Sequence, residues 1–488
     1  MRWFRHLVFG LFVIAFLVVC PLLVLYALGY AVRPGTEQGF VKTGLVSVAT
    51  NPPGASVYIE NRRYTRQTPA ILRGLLPGHY TIKLLLKHHQ PWMQTVPIEE
   101  EKATVLDKVL LLPNRWQPEV VWPHTCERLL PISGTPFFVV MTGLQLKDVM
   151  LYDAKEETAH PLALFQPALA DARVVSVLTE AGSPSLLLHV DARDGTHWLW
   201  VQWRGGTVTL EEITSLILGK PKRVTWDARH RQQLVALQDH TLSRIDVGSK
   251  AIYPAIMDHV RSVTVFGRSG YVVKDDGRLL RVGLEGRAEE PLVEDPLFAQ
   301  LVAKLRGVVE IRVDAEDVVW LLGEEGTLLI SRPPYELARD GVRGLAWEAV
   351  HRRAVIWQKN RLGVVEFAPE SAEEDEPEPT PRIQWVYQTG RDIEQAVWVY
   401  DGSHVLVRDR DQLFLLELET YGKPHLDYLW DVKPNSDAAY SEELGRVYYL
   451  DRLSHRLSMV QLVPLRDMLI LLFPEGRERR KKSELEPL

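Results

Sequence analysis

The stretch Val224-Thr225-Trp226-Asp227, followed by Gln233-Leu234-Val235-Ala236-Leu237 and by Thr241-Leu242-Ser243-Arg244-Ile245-Asp246, decides the fold of most of this chain. It consists of short, mainly apolar runs separated by polar turns, a pattern typical of consecutive antiparallel strands. The same unit recurs along the chain: Leu345–Glu348 with Arg353–Trp357 and Leu362–Glu366; Ala396–Val399 with His404–Val407 and Gln412–Leu416; and, more loosely, Val263–Leu284, Ile311–Ser331 and Ala438–Leu462.

Residues 115–465 therefore carry a repeat of about 35–50 residues, the period expected of the blades of a β-propeller. Tight turns such as Glu324-Glu325-Gly326 separate the strands within a unit. About eight units can be counted and seven fit nearly as well, so the sequence predicts a seven- or eight-bladed propeller. Trp226-Asp227 stands alone, which argues against a WD40 array. Stacked β-sandwiches would give the same strand spacing and remain an alternative.

Residues 44–113 indicate a separate, smaller domain. Apolar and polar residues alternate in several short segments, as in half-buried strands, and turn signals such as Pro77-Gly78 separate them. We expect a small β-sandwich, with strands at Leu45–Ala49, Ser56–Glu60, Tyr80–Leu86, Thr95–Ile98 and Thr104–Leu112.

Three pieces of sequence follow one another in this segment: Pro53-Gly54-Ala55-Ser56-Val57-Tyr58-Ile59, then Thr68-Pro69, then Leu76-Pro77-Gly78-His79-Tyr80. In their order and spacing they resemble the pattern of PEGA domains. The glutamate of the family's motif is missing, and Asn61-Arg62 lacks the usual turn glycine. The resemblance implies a prokaryotic surface or envelope protein with this domain just outside a membrane segment, and it implies no catalytic site.

An uncharged, mainly apolar run extends from Leu7 to Val32. As a helix its roughly 26 residues would measure about 39 Å, more than the roughly 30 Å of a bilayer core. The sequence therefore predicts a transmembrane helix at residues 7–32, a cytoplasmic N-terminus at 1–6 and a linker at 33–43. The positive charges that precede the run favour export of everything after it. Lipidation at Cys20, or cleavage after Ala27-Leu28-Gly29, would be alternatives.

Composition limits what the exported part can be. The net charge is −6 and the pI is about 6.2, so no electrostatic footprint for nucleic acid is present. The two cysteines are Cys20 and Cys126, which excludes an intrachain disulfide within the body. Residues 370–381 are acidic and Pro-rich and predict a solvated loop, and residues 474–488 predict a charged tail.

No catalytic motif, phosphate loop or metal-ligand spacing is found in the sequence, so we predict no catalytic, cofactor-binding or metal-binding residues and no enzyme activity. His88-His89 are neighbours and would point to opposite faces of a strand. Asp191-Ala192-Arg193-Asp194-Gly195 and Asp409-Arg410-Asp411 are interpreted as hairpin turns rather than metal loops. Tryptophans at Trp226, Trp347 and Trp398 are expected in the core rather than in a sugar site.

The sequence as a whole predicts an all-β protein: a transmembrane helix, a PEGA-like sandwich and a propeller. We expect a single-pass membrane protein that binds or scaffolds an envelope protein or a cell-wall glycan. An envelope enzyme acting on glycans, with its site in the propeller channel, and a purely structural spacer are the alternatives. Partner identity and oligomeric state do not follow from the sequence.

Overall fold

Strands dominate the computed structural model, in which the chain divides into two compact units. The first comprises Met1–Gln117, Glu419–His425 and Leu462–Leu488, and the second comprises Pro118–Leu418 and Leu426–Gln461. The structure describes residues 9–20, 30–32, 40–226, 232–267, 269–283, 289–314, 317–348, 352–366, 380–418 and 424–465. The predicted tail 474–488, the predicted N-terminus 1–6 and most of the predicted loop 370–381 lie outside these residues.

The N-terminal apolar run forms helix α1 at residues 9–20. In the described part of the chain, none of the helices combines the length and the apolar character that a membrane crossing requires. Helix had been predicted as far as Val32, but Tyr30–Val32 is strand β1, antiparallel to Phe40–Lys42, strand β2. Aromatic and β-branched residues dominate both strands and favour an extended backbone, which explains this difference.

Residues 44–110 form a two-sheet sandwich. One sheet has the order β6-β3-β9 and the other β5-β4-β7-β8, and buried aliphatic side chains fill the space between them. The β3–β9 pair is parallel and the remaining pairs are antiparallel. The strands are β3 (Gly44–Asn51), β4 (Ser56–Ile59), β5 (Arg62–Gln67), β6 (Ala70–Leu75), β7 (Gly78–Leu85), β8 (Trp92–Ile98) and β9 (Ala103–Leu110).

Two parts of the family-like pattern meet in the sandwich. The backbone N–H of Gly54 donates to the Thr68 carbonyl at 2.8 Å, and that of Ala55 donates to the Thr68 hydroxyl at 2.9 Å. The β4–β5 turn forms without a glycine, because Glu60 and Asn61 both adopt positive φ, at 46° and 66°. Asn tolerates this conformation better than most residues do. The departure noted in the sequence therefore leaves the turn intact.

The second unit is a β-propeller of eight four-stranded antiparallel sheets in its described residues. Strand β10 (Glu119–Thr125) pairs with β41 and supplies the outermost strand of the last blade, which closes the ring. Within seven blades the strands follow one another in sequence order. The first strands of several neighbouring blades contact each other, as β19 does β23, β23 does β27, and β31 does β35. Of the two predicted blade numbers, the structure has eight.

The strands of blades 1 to 4 follow in chain order. Blade 1 contains β11 (Arg128–Pro131), β12 (Phe137–Met141), β13 (Val149–Asp153) and β14 (Thr158–Pro161); blade 2 contains β15 (Arg173–Thr179), β16 (Ser185–Ala192), β17 (Gly195–Arg204) and β18 (Thr207–Glu212). Blade 3 contains β19 (Arg223–Trp226), β20 (Gln233–Gln238), β21 (Thr241–Asp246) and β22 (Ala251–Met257); blade 4 contains β23 (Val260–Phe266), β24 (Ser269–Lys274), β25 (Leu279–Gly283) and β26 (Glu289–Pro291).

The remaining blades follow helix α2 (Pro296–Lys304). Blade 5 contains β27 (Val308–Val313), β28 (Val319–Gly323), β29 (Leu328–Ile330) and β30 (Glu336–Ala338); blade 6 contains β31 (Val342–Glu348), β32 (Arg353–Gln358), β33 (Arg361–Glu366) and β34 (Ile383–Gln388). Blade 7 contains β35 (Ile393–Val399), β36 (His404–Asp409), β37 (Gln412–Glu417) and β38 (His425–Asp431); blade 8 contains β39 (Ala439–Ser441), β40 (Arg446–Leu450) and β41 (Arg456–Gln461), together with β10.

Tryptophans near the ends of first strands connect neighbouring blades. Trp226 of blade 3 is 2% exposed and meets Trp200 of blade 2 edge to face, with ring centroids 4.9 Å apart. Trp347 packs against the core shared by blades 5 and 6. The indole N–H of Trp398 in blade 7 donates to the Ala346 carbonyl of blade 6 at 2.8 Å. Trp226 is therefore a core residue, as the sequence predicted, whereas Trp347 and Trp398 are half-buried and contact both a neighbouring blade and a cavity.

Candidate functional site

The candidate site is the channel around which the first strands of the blades are arranged. One cavity of about 860 Å³ lies against the first strands of blades 2 to 6, and a second of about 790 Å³ lies against those of blades 1, 2 and 5 to 8. The two share lining residues, Arg312 and Trp347 among them, so they adjoin inside the channel. Each has the size of a ligand pocket.

Seven charged side chains line the first cavity: Glu180, Lys220, Lys222, Arg223, Glu310, Arg312 and Asp314. Four of them influence one another's ionisation, and we call these the channel quartet: Glu180, Arg223, Glu310 and Arg312. Glu180 follows the first strand of blade 2, Arg223 begins that of blade 3, and the other two lie on that of blade 5. The Arg312 guanidinium pairs with the Glu310 carboxylate through its Nε. Residues from three blades thus place two carboxylates and two guanidiniums around one cavity, close enough to influence one another's ionisation.

The channel wall changes the ionisation of this quartet. Burial raises the pKa of the Glu180 carboxyl, against the opposing effect of Thr225, Arg223 and Arg312 beside it. Burial likewise lowers the pKa of the Arg223 guanidinium, and the charge of Glu180 opposes that shift. Charges held in such a low-dielectric setting interact strongly with one another and with any charged group that enters.

The second cavity is lined mainly by aromatic and aliphatic side chains. Trp347, Trp398 and Tyr440 lie at corresponding places on the first strands of blades 6, 7 and 8, and Phe137 contributes from blade 1. The Gln395 amide donates to the Ala438 carbonyl at 3.0 Å and accepts from the Ala438 N–H at 2.9 Å, which joins blades 7 and 8 here. We call this mainly apolar part of the channel the apolar chamber; the charged residues in its lining are Arg312, Asp437, Glu442 and Glu443.

Of the residues singled out in the sequence, the histidines and the two acidic segments lie away from the channel cavities, whereas Trp226, Trp347 and Trp398 line them. His88 is exposed and His89 half-buried in the sandwich. Ala192 pairs with Gly195 across a tight β16–β17 hairpin, and Asp409 pairs with Gln412 across the β36–β37 hairpin. Both acidic segments are thus hairpin turns, as predicted. Within the described residues, no group of three or more His, Cys, Asp or Glu side chains is placed to hold a metal ion.

Sequence reasoning missed the channel quartet. Its signal was present on β27, where Glu310 and Arg312 alternate with the apolar residues Ile311 and Val313. A strand of a buried sheet that carries two charges on one face must direct them to a partner or to a cavity. Only the closed ring reveals that this face meets charges from blades 2 and 3.

Residues 43–112 match the model of the PEGA domain. The resemblance stated from the motifs is therefore confirmed for this segment, which we now call the PEGA domain. No match to this chain was found among the curated proteins.

Three solved structures that resemble the chain share 10–12% sequence identity with it. The beta-propeller domain of Cps50 (Swd1) from Myceliophteria thermophila is 10% identical, with a TM-score of 0.35, over 59% of this chain and 99% of that one. YCF48 from Cyanidioschyzon merolae is 12% identical, with a TM-score of 0.39, over 70% and 98%. Hsv2 from Kluyveromyces lactis is 10% identical, with a TM-score of 0.41, over 63% and 98%. The number of blades and the order of their strands are given by the strand pairing in this protein's own sheets.

Proposed function

We propose that this chain is a membrane-tethered, extracytoplasmic binding or scaffold protein of a prokaryotic cell envelope, and that its propeller channel holds a segment of a protein partner. The channel quartet is the observation that carries this proposal. Charges of both signs on a rigid, enclosed wall recognise polar peptide groups and reject chains of the wrong charge pattern. The adjoining apolar chamber supplies area for the partner's aliphatic or aromatic side chains.

The membrane tether is supported by the composition and exposure of helix α1. Phe9, Phe12, Phe16 and Leu17 are 70%, 70%, 66% and 64% exposed, and apolar side chains lie on every side of this helix. A helix that is hydrophobic all round needs an apolar environment. The uncharged run that continues beyond it is long enough for a bilayer. The PEGA domain that follows agrees with an envelope location, as its family implies.

A protein partner is favoured over a glycan because of how the channel tryptophans are used. Sugar binding by stacking requires an open indole face, whereas Trp226 is almost fully buried between two blades. Trp398 is half-buried, with its N–H engaged by the Ala346 carbonyl. The Arg353 guanidinium also lies over the Trp398 ring, 5.0 Å from its centroid, so neither Trp226 nor Trp398 presents a flat, open platform to a sugar.

One observation favours a second candidate, an enzyme acting on glycans. A carboxyl of raised pKa near a second carboxylate is the arrangement by which glycosidases separate an acid from a nucleophile or base. Glu180 and Glu310 meet the first part of that description. The Glu310 carboxylate, however, is paired with Arg312, and Glu180 is accompanied by Arg223 and Arg312. Such guanidinium partners suit recognition of charge better than proton transfer.

Photo-crosslinking in intact cells tests the binding proposal. A photoreactive amino acid replaces Phe266, which lines the channel and is 39% exposed, and in a matched control it replaces Tyr428, which lies on the outermost strand of blade 7 and is 50% exposed. We expect one discrete protein conjugate from position 266 and none from position 428. The conjugate should disappear when Arg223→Gln and Arg312→Gln are combined.

Two outcomes would refute the proposal. Equal conjugates from both positions would mean that the channel is not the binding site. Conversion of envelope glycans by the purified chain, lost in Glu180→Gln while crosslinking persists, would instead identify the second candidate.

A further inference from the structure

All four arginines of the PEGA domain lie along one side of the sandwich, which we call the arginine edge: Arg62, Arg63, Arg66 and Arg73. The first three belong to β5 and the fourth to β6, and each is exposed. Strands β5 and β6 are the terminal strands of the two sheets, and the Tyr64 hydroxyl donates to the Ile71 carbonyl at 3.4 Å between them. The arginine edge is thus a continuous strip formed by both sheets.

The arginine edge lacks neutralising partners. Among the described residues, none of its guanidiniums forms an ion pair, whereas Lys102 pairs with Glu99 and Lys42 with Glu101 elsewhere on the same unit. The nearest acid in sequence, Glu60, accepts the backbone N–H of Thr81 at 2.6 Å. Charges on a terminal strand also discourage pairing with another sheet, which would explain one or two of them. The edge thus carries four arginines without an ion pair and no lysine, although Arg63 donates to the Ser56 hydroxyl at 3.4 Å. Such a concentration of positive charge is suited to an anionic surface.

The chain connects this domain directly to the apolar N-terminal segment. Strand β1 pairs with β2 so that Tyr30 lies opposite Lys42, and β3 of the PEGA domain begins at Gly44. The linker 33–43 separates the end of the apolar run from the sandwich in sequence, but the β1–β2 pair places Lys42, two residues before the sandwich, beside Tyr30 at the end of that run. If that run is embedded in a bilayer, the domain lies at the headgroup layer, within reach of the lipid phosphates.

We propose that the arginine edge docks the PEGA domain onto anionic phospholipid headgroups of the membrane that holds the N-terminal segment. The inference rests on the tether of the proposed function. Guanidinium groups bind phosphate oxygens through paired N–H bonds, and an arginine is more weakly hydrated than a lysine. Basic residues close to an anionic bilayer contribute additively to its attraction. The exposed Ile71 beside the arginines adds apolar area at the same surface.

The full chain, with Cys20→Ser and Cys126→Ala, provides the test when reconstituted with vesicles of phosphatidylcholine alone or with added phosphatidylglycerol. A fluorophore on Thr65→Cys of β5 is compared with one on Val105→Cys of β9, on the opposite side of the sandwich. Lipids that carry a quencher report the proximity of each label. We expect at least about twofold stronger quenching at position 65, only with phosphatidylglycerol, and its loss at about 1 M salt, where the Debye length is about 3 Å.

A matched pair of variants removes the same charge from two places. The arginine variant combines Arg62→Gln, Arg63→Gln, Arg66→Gln and Arg73→Gln, and the lysine variant changes all four lysines of the domain: Lys83→Gln, Lys87→Gln, Lys102→Gln and Lys108→Gln. Quenching at position 65 should fall to the level of position 105 in the arginine variant and persist in the lysine variant. Equal loss in both variants, or salt-independent quenching in both lipids, overturns the proposal.

Flotation at about 1 M salt separates the tether from the edge, since screening removes only the electrostatic contact. A chain that leaves the vesicles at this salt concentration refutes the tether. If the tether fails this test, quenching at low salt that depends on the arginines would still support docking of the arginine edge. If that quenching is absent, the docking proposal is overturned as well.

Discussion

Replacing Trp226 with alanine should destabilise the propeller by about 4 kcal/mol, since large-to-small changes at buried tryptophans cost about 3–5 kcal/mol. The side chain is 2% exposed, and its ring meets Trp200 at 4.9 Å between centroids, a contact worth about 0.5–1.5 kcal/mol beyond its area. Its N–H also donates to the Ser183 hydroxyl at 2.8 Å, a bond worth about 1 kcal/mol. Both contacts connect blade 3 to blade 2, so the substitution weakens the interface between these two blades.

Urea unfolding of the purified full chain in detergent, followed by far-ultraviolet circular dichroism, measures the change. Trp385→Ala is the control, because Trp385 is 36% exposed on an outermost strand and mainly covers the Arg361 guanidinium at 3.9 Å. Such an exposed contact is worth about 0.5–1 kcal/mol, so the control should lose about 1 kcal/mol. If the two variants lose the same free energy of unfolding, the blade-joining role assigned to Trp226 is wrong.

Three further outcomes follow from other contacts. The Arg408 side chain is 5% exposed and lies between the carboxylates of Glu394 and Asp437, so Arg408→Met should lower the free energy of unfolding by about 3–5 kcal/mol. The control Arg391→Met removes an arginine that is 51% exposed and should cost at most about 1 kcal/mol. Similar losses for the two variants in urea titrations would contradict this prediction. Burial raises the pKa of Asp409 above its unfolded value, so this group favours the folded state below the unfolded pKa, and that contribution fades as pH rises through the folded pKa. The free energy of unfolding of Asp409→Asn relative to the wild type should therefore increase as pH rises from the unfolded to the folded pKa of Asp409. A difference that does not change with pH would refute the raised pKa. Gly326→Ala places a Cβ 2.5 Å from a backbone nitrogen at φ +84° and should cost more than about 2 kcal/mol, whereas Gly390→Ala has open space and should lower the melting temperature little.

The strands and their turns were predictable from the sequence because their signals are local. In blade 3, the apolar runs of β20 and β21 each show which face is buried, and the positions between them favour turns. The number of blades was not fixed by these signals. The strand that completes the last blade could not be assigned either, because β10 pairs with β41 from the other end of the propeller sequence, which no short window of sequence can reveal.

The candidate site was less predictable than the fold for a related reason. Each member of the channel quartet lies on or beside an unremarkable strand, and nothing near Arg223 in sequence indicates that Glu180 or Glu310 will stand beside it. Their proximity is produced by ring closure, which brings blades 2, 3 and 5 to a common axis. The strand β1 was missed because an apolar run satisfies both helix and strand patterns when its neighbours in space are unknown.

The pairing of β10 with β41 also has a consequence for the time at which the propeller can form. Glu119 finds its partner Met459 about 340 residues later in the chain, and a ribosome that adds about 5–20 residues per second needs roughly 17–70 s to make that segment. During this interval β10 lacks its partner strand, and its unpaired backbone N–H and C=O groups can bind other strands. The newly made chain therefore needs either a holding factor or a delay in the folding of its first blades until its last strand emerges.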